Sequence, residues 1–476
     1  MKNRGSSVCI KIIRYCKDGF GQGECSLEGR TPFLVDVPFS KPGDEVQVEL
    51  FKKIKGVFFG RPKEWLRFSE NRQTPSCRHF GDCGGCRWQH IPYEEQLSMK
   101  QAMVYRLLEP FLQKDSKLFP ITPCSHPWEY RNKMELTFSS DKAGNHYLGL
   151  ISLGTRGHVF QMKECHLMRS WIAEAVTAVS RWWEESGLLA YHSGSDKGSL
   201  RTLTFREGIR TGDRMVILTV SGNPAFALNK TMMNRFVAAV RKGVEPYSSE
   251  MKLSVFLRIQ QIAKGRPTQF YEMLLYGPDH LREILYIETD PGESHALHFR
   301  VSPSAFFQPN PIQAEQLYSK AIQLTQASPQ SVVYDLYCGT GTLGICMAKK
   351  AKEVIGIELS PESSLDAKEN IKLNQLCNVS ICRGDVGQVL PQLLQQRRLR
   401  PEVVMIDPPR AGLEEKALHH LLSIGAPKLT YISCNPSTQA RDVAQLVKSG
   451  YRIHAVQPVD QFPHTVHVEN IVVLSK

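Results

Sequence analysis

A chain of 476 residues exceeds the usual span of one hydrophobic core, so two or three domains are expected. With 42% hydrophobic and 22% charged residues, and no apolar run of about 18 residues, the composition argues for a soluble globular protein without a membrane span. The net charge of +12 points to a polyanionic partner, and residues 1–72 alone hold 14 Lys/Arg against 9 Asp/Glu. The polar start MKNRGSSVCI lacks the apolar core of a signal peptide, so a cytoplasmic location is expected. Thirteen cysteines without a secretory signal argue against a disulfide framework, and for reduced thiols, a metal site or a catalytic cysteine.

Residues 1–68 read as a small all-β unit. EVQVEL at 45–50 alternates as a half-buried strand should, and the glycine turns DGFGQG and KPGD flank it. Residues 52–61, KKIKGVFFGR, mix basic and aromatic side chains on a further predicted strand. A barrel with such a face is a common platform for single-stranded nucleic acid, although ordinary surface lysines fit the pattern equally well. Residues 69–92 are loop-like, and a helix is predicted over 93–113. From 120 to 301 strand-like runs (MELTFSS, RMVILTV, REILYIET) alternate with helical ones (SWIAEAVTAVSRWW), so residues 69–300 are expected to form an α+β domain.

Residues 301–476 are more regular. Near-continuous apolar runs (VVYDL, EVIGIE, VSICRGD, EVVMID, LTYISC) alternate with helical segments, which implies a parallel α/β sheet covered on both faces. YRIHAV and ENIVVL follow without a helix between them, so the final strand is expected antiparallel at the sheet's end.

VVYDLYCGTGTLG at 332–344 is a strand, a glycine-rich turn and a helix start. Gly339, Gly341 and Gly344 fit the dinucleotide fingerprint, with Glu358 closing the next strand to accept from ribose hydroxyls. Asp335, four residues before Gly339, suits the cationic methionine part of S-adenosylmethionine and would repel a pyrophosphate, so it favours that cofactor over NAD. Asp385, closing the third strand, is placed to reach the adenine.

Three further strand ends carry unusual residues. Asp407-Pro408-Pro409-Arg410 ends the fourth, with Arg410 where exocyclic-amine methylating enzymes carry an aromatic. YISCNP places Cys434 before Asn435-Pro436, where a helix N-terminus favours the thiolate. Buried packing is the commoner fate of a lone cysteine, and it is the reading given to Cys338, Cys346, Cys377 and Cys382. In the tail, Asp460, His464, His467 and Glu469 are possible bases. Glu469 starts the last strand, at the edge Cys434 would occupy if that strand is antiparallel, and the two histidines receive no role. A thiol and a carboxylate are what methylation at pyrimidine C5 requires. Thiolate addition to C6 makes C5 nucleophilic, and a base must later remove the C5 proton.

CRHFGDCGGC gives Cys77, Cys83 and Cys86 in the spacing C-x5-C-x2-C, with Cys165 far downstream in MKECHLM. All-thiolate ligation suits zinc or a [4Fe-4S] cluster, and the spacing does not separate them. Cys9, Cys16, Cys25 and Cys124 remain unassigned.

Over nearly its whole length the chain resembles the RNA uridine-C5 methyltransferase family, and most closely its 23S ribosomal RNA branch. The shared motifs are Ser-Cys-Asn-Pro, a late His-x-Glu and Phe-x-Gln-x-Asn, here FFQPNP at 306–311. The resemblance implies Cys434 as nucleophile and Glu469 as base. It also puts Gln308 against the methionine end of S-adenosylmethionine, and Tyr337, Glu358, Asp385 and Asp407 where the family binds cofactor or positions the base. Thr342 replaces the family's usual asparagine, leaving a hydroxyl in its place. The implied architecture is a Rossmann-like class I methyltransferase domain (301–476), a TRAM barrel of the OB type that binds RNA (1–68), and a central α+β domain (69–300). The implied cofactors are S-adenosylmethionine and a [4Fe-4S] cluster on Cys77, Cys83, Cys86 and Cys165. The barrel favours ribosomal RNA, because bacterial transfer RNA enzymes of the family lack it. No membrane or protein partner is implied. Three rival readings are a transfer RNA enzyme, a cytosine-C5 enzyme and a vestigial RNA-binding protein. A fourth, an NAD(P)-linked iron–sulfur oxidoreductase, leaves DPPR and SCNP without a purpose.

Overall fold

The computed structural model describes residues 5–476 except 17, 28–30, 156, 245–249, 264 and 397–399. The chain divides into two compact units: one of Met1–Lys100, Ile151–His158 and Phe462–Val466, the other of Gln101–Leu150, Val159–Gln461 and His467–Lys476. Among the described residues no helix is long and apolar enough to cross a membrane.

The first unit holds a closed five-stranded barrel, in the order Ser7–Tyr15, Gly21–Cys25, Phe33–Val37, Val57–Arg67 and Glu45–Ile54. Alternation dictates its core: Ile10, Val35, Val37, Val46, Val48 and Leu50 are fully buried. At Gly23 the strands approach so closely that a Cβ would stand 2.3 Å from the Lys11 carbonyl oxygen. Residues 52–61 are not one strand. They span the end of Glu45–Ile54, a two-residue turn and the start of Val57–Arg67, with Ile54 paired to Val57. Lys55 and Gly56 both take positive φ (47° and 89°), the hairpin geometry that matches strand twist. Aromatic and basic side chains still interleave there, with Lys53 Nζ 5.0 Å from the Phe58 ring centroid and the Arg61 guanidinium 5.0 Å from that of Phe51. His464 is locked into this unit by its backbone, its N–H donating to Gln96 Oε1 (2.9 Å) and its carbonyl accepting from the N–H groups of Arg87 and Trp88.

In the second unit, a seven-stranded sheet runs in the order Gln269–Tyr276, Leu253–Gln261, Arg214–Ser221, Leu200–Glu207, Lys133–Ser140, His146–Ile151 and Val159–Gln161. Helices Trp171–Ser186 and Lys230–Val244 bury their apolar stripes against one of its faces, over Leu136, Leu203, Leu218 and Leu257. A two-stranded ribbon, Leu281–Asp290 with Glu293–Val301, leads to the final sheet.

That final sheet has eight strands. In order they are Val379–Arg383, Glu353–Glu358, Val332–Leu336, Val403–Ile406, Lys428–Ser433, Glu469–Ser475, Arg452–Val459 and the short Lys117–Leu118. The first five are parallel, with the order reversing beside Val332–Leu336, where an open α/β sheet forms its ligand crevice. The last strand of the sequence does not lie at the sheet's end. Glu469–Ser475 inserts between Lys428–Ser433 and Arg452–Val459, antiparallel to both. Two-sided burial explains the position: Ile471, Val472 and Leu474 are fully buried, and such a strand is wasted at an edge.

Candidate active site

The glycine-rich turn is built from both sides. Gly341 (φ 77°) precedes the helix Thr342–Met347, and a Cβ on Gly344 would sit 2.9 Å from Asp335 Oδ2, which accepts the Gly344 N–H at 2.8 Å. Glu358 reaches across from the next strand, accepting the Gly339 N–H at 2.9 Å and the Ser360 N–H at 2.7 Å. The Thr340 and Thr342 hydroxyls lie 2.9 Å apart. Tyr337 holds φ at 65°, a left-handed conformation that costs a bulky residue energy. Burial and three nearby acids, Glu414 foremost, push its phenol up to about 12.

Asp335 departs from the sequence expectation. It is 1% exposed, and its carboxylate braces the turn. Burial, with Asp407 and Glu358 nearby, pushes it up to about 8, and Oδ1 finds no hydrogen-bond partner among the described residues. Asp385 stands half-buried at the end of the third strand, its carbonyl starting the helix Val386–Gln396.

The reactive ends lie beside this turn. Ser433 pairs with Asn470 in the antiparallel ladder, so Cys434 and Glu469 occupy its next step. Glu469 is buried and its carboxyl is raised well above the usual range, by burial first and by Asp407 second. Asp407, half-buried at the end of Val403–Ile406, is pushed up to about 7 by burial. Cys434 differs from expectation as well. Its thiol is pushed up to about 11, by burial first and then by the neighbouring Glu469 and Asp407. The Arg410 guanidinium, hydrogen-bonded to the thiol, pulls the other way.

The loop after Asp407 is clamped to the helix Pro436–Lys448. The Arg410 carbonyl accepts from Asn435 Nδ2 (2.9 Å) and Thr438 Oγ1 (3.2 Å). Asp442 Oδ2 accepts from the Leu413 N–H and the Tyr431 hydroxyl, both at 2.8 Å. Gln308 is buried on a segment locked in turn by its neighbours. Its carbonyl accepts from Asn132 Nδ2 (3.0 Å), and Gln461 Nε2 donates to the Asn310 carbonyl (3.0 Å). Phe306, two residues earlier, exposes 67% of its surface.

Comparison with known proteins decides the assignment. The sequence model of the tRNA (uracil-5-)-methyltransferase family matches residues 248–476. An uncharacterized RNA methyltransferase of Protochlamydia amoebophila is 59% identical over 441 residues, 93% of this chain and 100% of that protein. The chain belongs to the RNA uracil-C5 methyltransferase family.

Another relative in this family, an uncharacterized RNA methyltransferase of Caldanaerobacter subterraneus subsp. tengcongensis, is 32% identical over 99% of both chains. The solved tRNA (uracil-54, C5)-methyltransferase of Pyrococcus abyssi, in complex with S-adenosyl-L-homocysteine, aligns with a TM-score of 0.73 at 25% identity, covering 98% of this chain and 99% of that one. Membership makes the chain an RNA methyltransferase with the Rossmann-like fold expected of it.

Several residues of this family member escape sequence reasoning. Arg410 was legible only as a missing aromatic, yet it is the cation nearest the thiol. Tyr318, in the helix Pro311–Thr325, is buried against Gln308 and faces Asp407 and Glu469, which nothing in its helical pattern announces. Cys338 and Cys346 are buried, as the packing reading expects, whereas Cys377 is exposed.

Of the cysteine cluster, Cys77, Cys83 and Cys86 share one loop of the first unit, where the Gly85 N–H donates to Cys83 Sγ at 3.3 Å. Cys165 belongs to the second unit, its carbonyl accepting the Met168 N–H. Among the described residues no group of three or more His, Cys, Asp or Glu side chains is gathered to hold a metal ion.

Proposed function

We propose that the protein converts a uridine of 23S ribosomal RNA to 5-methyluridine, with Cys434 as nucleophile and Glu469 as base. The observation that carries this reading is the pairing of Ser433 with Asn470, which sets a thiol and a carboxylate at adjacent steps of two strand ends beside the glycine-rich turn. S-adenosylmethionine supplies the methyl group, activated on a sulfonium. Cys434, as thiolate, adds to uracil C6, and the displaced electron pair makes C5 a nucleophile toward that methyl. Glu469 then takes the C5 proton, the C5–C6 double bond re-forms, and the Cys434 thiolate leaves. Arg410 stabilises the thiolate in both its appearances.

On this reading Gln308, Tyr337, Thr342, Glu358 and Asp385 hold the cofactor. Tyr337 offers its ring, and Glu358 keeps lone pairs for ribose hydroxyls. Asp407 positions the base, and Phe306 offers it an aromatic face. The barrel of the first unit binds RNA through its interleaved basic and aromatic side chains. The thiols of Cys77, Cys83, Cys86 and Cys165 are a donor set suited to a [4Fe-4S] cluster, with a structural role, since the methyl transfer involves no electron transfer.

Transfer RNA is the second reading. The Pyrococcus abyssi enzyme, named for a tRNA, aligns across 98% of this chain, so the barrel does not by itself favour ribosomal RNA. Mapping 5-methyluridine in both RNA pools, with and without this gene, separates the two. Loss from 23S RNA supports the first, loss from tRNA the second, and no loss from either overturns both.

A further inference from the structure

The outer edge of the seven-stranded sheet is built against the usual rules. Edge strands are normally blunted with charge or proline, because their unpaired backbone invites other chains. Here Gln269–Tyr276 is the edge, and Phe270, Tyr271, Met273 and Leu274 expose between 43% and 54% of their surfaces, with Ile262 at 55% across the hairpin. Successive side chains alternate, so Phe270 and Leu274 lie on one face of the ribbon, and Tyr271 and Met273 on the other. The ribbon therefore presents an aromatic ring on each side.

Three arginines stand on or beside it, one of them offset by an acid. Arg258, paired in register with Glu272 and bonded to it, lies 5.9 Å from the Phe270 ring centroid, and Arg241 lies 4.7 Å from that of Tyr276. The turn at the tip bears Arg266, whose N–H donates to the Ala263 carbonyl. The face carrying Arg258 is not the one the two helices cover. It runs in register through Thr219, Thr202 and Thr137, with Thr219 buried, and Lys133 on it is held below the usual ammonium range by burial first and by Arg206 second, against the pull of Glu135. Arg206 Nη1 in turn donates to the carbonyls of Ser302, Pro303 and Ala305, on the segment that leads to Gln308.

We propose that this ribbon is an RNA-binding surface, with Phe270 and Tyr271 each stacking an unpaired base of the substrate. The inference rests on the reading of the chain as an RNA-modifying enzyme, and extends it to a region that reading leaves without a role. Stacking on an exposed ring beside an arginine is how single strands are held without regard to sequence. A second copy of the chain fits worse, because each copy carries +12 and two would repel, whereas a polyanion is attracted.

The test is binding of a fluorescein-labelled single-stranded RNA to the full-length wild type and to Phe270→Ala, Tyr271→Ala and Phe270→Trp, with methyl incorporation followed in parallel. Each alanine variant is expected to weaken binding about tenfold, the loss of one stacked base, and Phe270→Trp to restore it. The two positions point to opposite faces, so either variant decides the matter if the other fails to fold. Wild-type affinity in both alanine variants, with methylation intact in the wild type, overturns this proposal and leaves the enzyme assignment standing. A wild type that neither binds nor methylates RNA overturns both. A wild-type dimer in sedimentation that the alanine variants convert to monomers also overturns it, in favour of a second copy.

Discussion

Cys434 and Glu469 stand one step beyond the paired residues Ser433 and Asn470, the first leaving the sheet as the second enters it. Both are harder to ionise than their free counterparts. Glu469 raises the thiol, and the carboxyl is itself raised by burial and by Asp407.

Replacing Cys434 with alanine should abolish 5-methyluridine formation, by at least about 10³-fold, since it removes the thiol proposed to add to C6. The side chain is only half-buried, so the melting temperature should barely move. Tritium transfer from labelled S-adenosylmethionine to RNA, read beside a melting curve, checks both halves. Appreciable activity would end the nucleophile assignment.

Glu469→Gln should behave differently. Addition to C6 and methyl transfer can proceed, but the C5 proton stays and the thiolate cannot leave. A covalent enzyme–RNA species should accumulate and survive denaturing electrophoresis. If instead the variant turns over normally, another residue removes the proton.

The pH dependence should follow the thiol. Cys434 is pushed up to about 11, and only its thiolate reacts, so kcat/KM should climb as pH rises above neutrality. Arg410→Met removes the cation that lowers the thiol, and should move that climb to higher pH. A profile unchanged in the variant would show that Arg410 does not act on Cys434.

Stability should depend on Asp335. Its folded value, about 8, lies above the ordinary carboxylate range, so the fold favours the neutral acid. That contribution is fully present below about pH 4 and is lost as pH rises toward 8. Asp335→Asn keeps an oxygen for the Gly344 N–H and carries no charge, so its melting temperature should vary less across this window. Scanning calorimetry at several pH values decides, and equal pH sensitivity in the two proteins would contradict it.

For the cysteine loop, protein purified without oxygen should carry iron, and Cys83→Ser should lose most of it. Elemental analysis separates iron from zinc. Metal-free wild type would remove the cluster from the account.

Much of this was legible in the residues. The strand ends bearing Asp335, Glu358, Asp407 and Cys434 announce themselves because an apolar run meets a polar or thiol side chain with glycine or proline within four residues. The place of Glu469–Ser475 was not, because strand order depends on which neighbour buries both faces, and the sequence pattern records burial without naming the neighbour. The Lys55-Gly56 turn was hidden by the apolar and basic residues on either side, which read as one strand. The thiol's shift was misjudged for a related reason. A helix start is visible in Asn435-Pro436, but the burial of the thiol and the two carboxyls that raise it come from other strands.

The neutral thiol has one more consequence. Peroxides and alkylating agents attack thiolates, so a cysteine held protonated between buried acids is a poor target for both. The nucleophile is sheltered at rest by the same neighbours that slow it. Compounds meant to block it by electrophilicity alone should therefore react slowly.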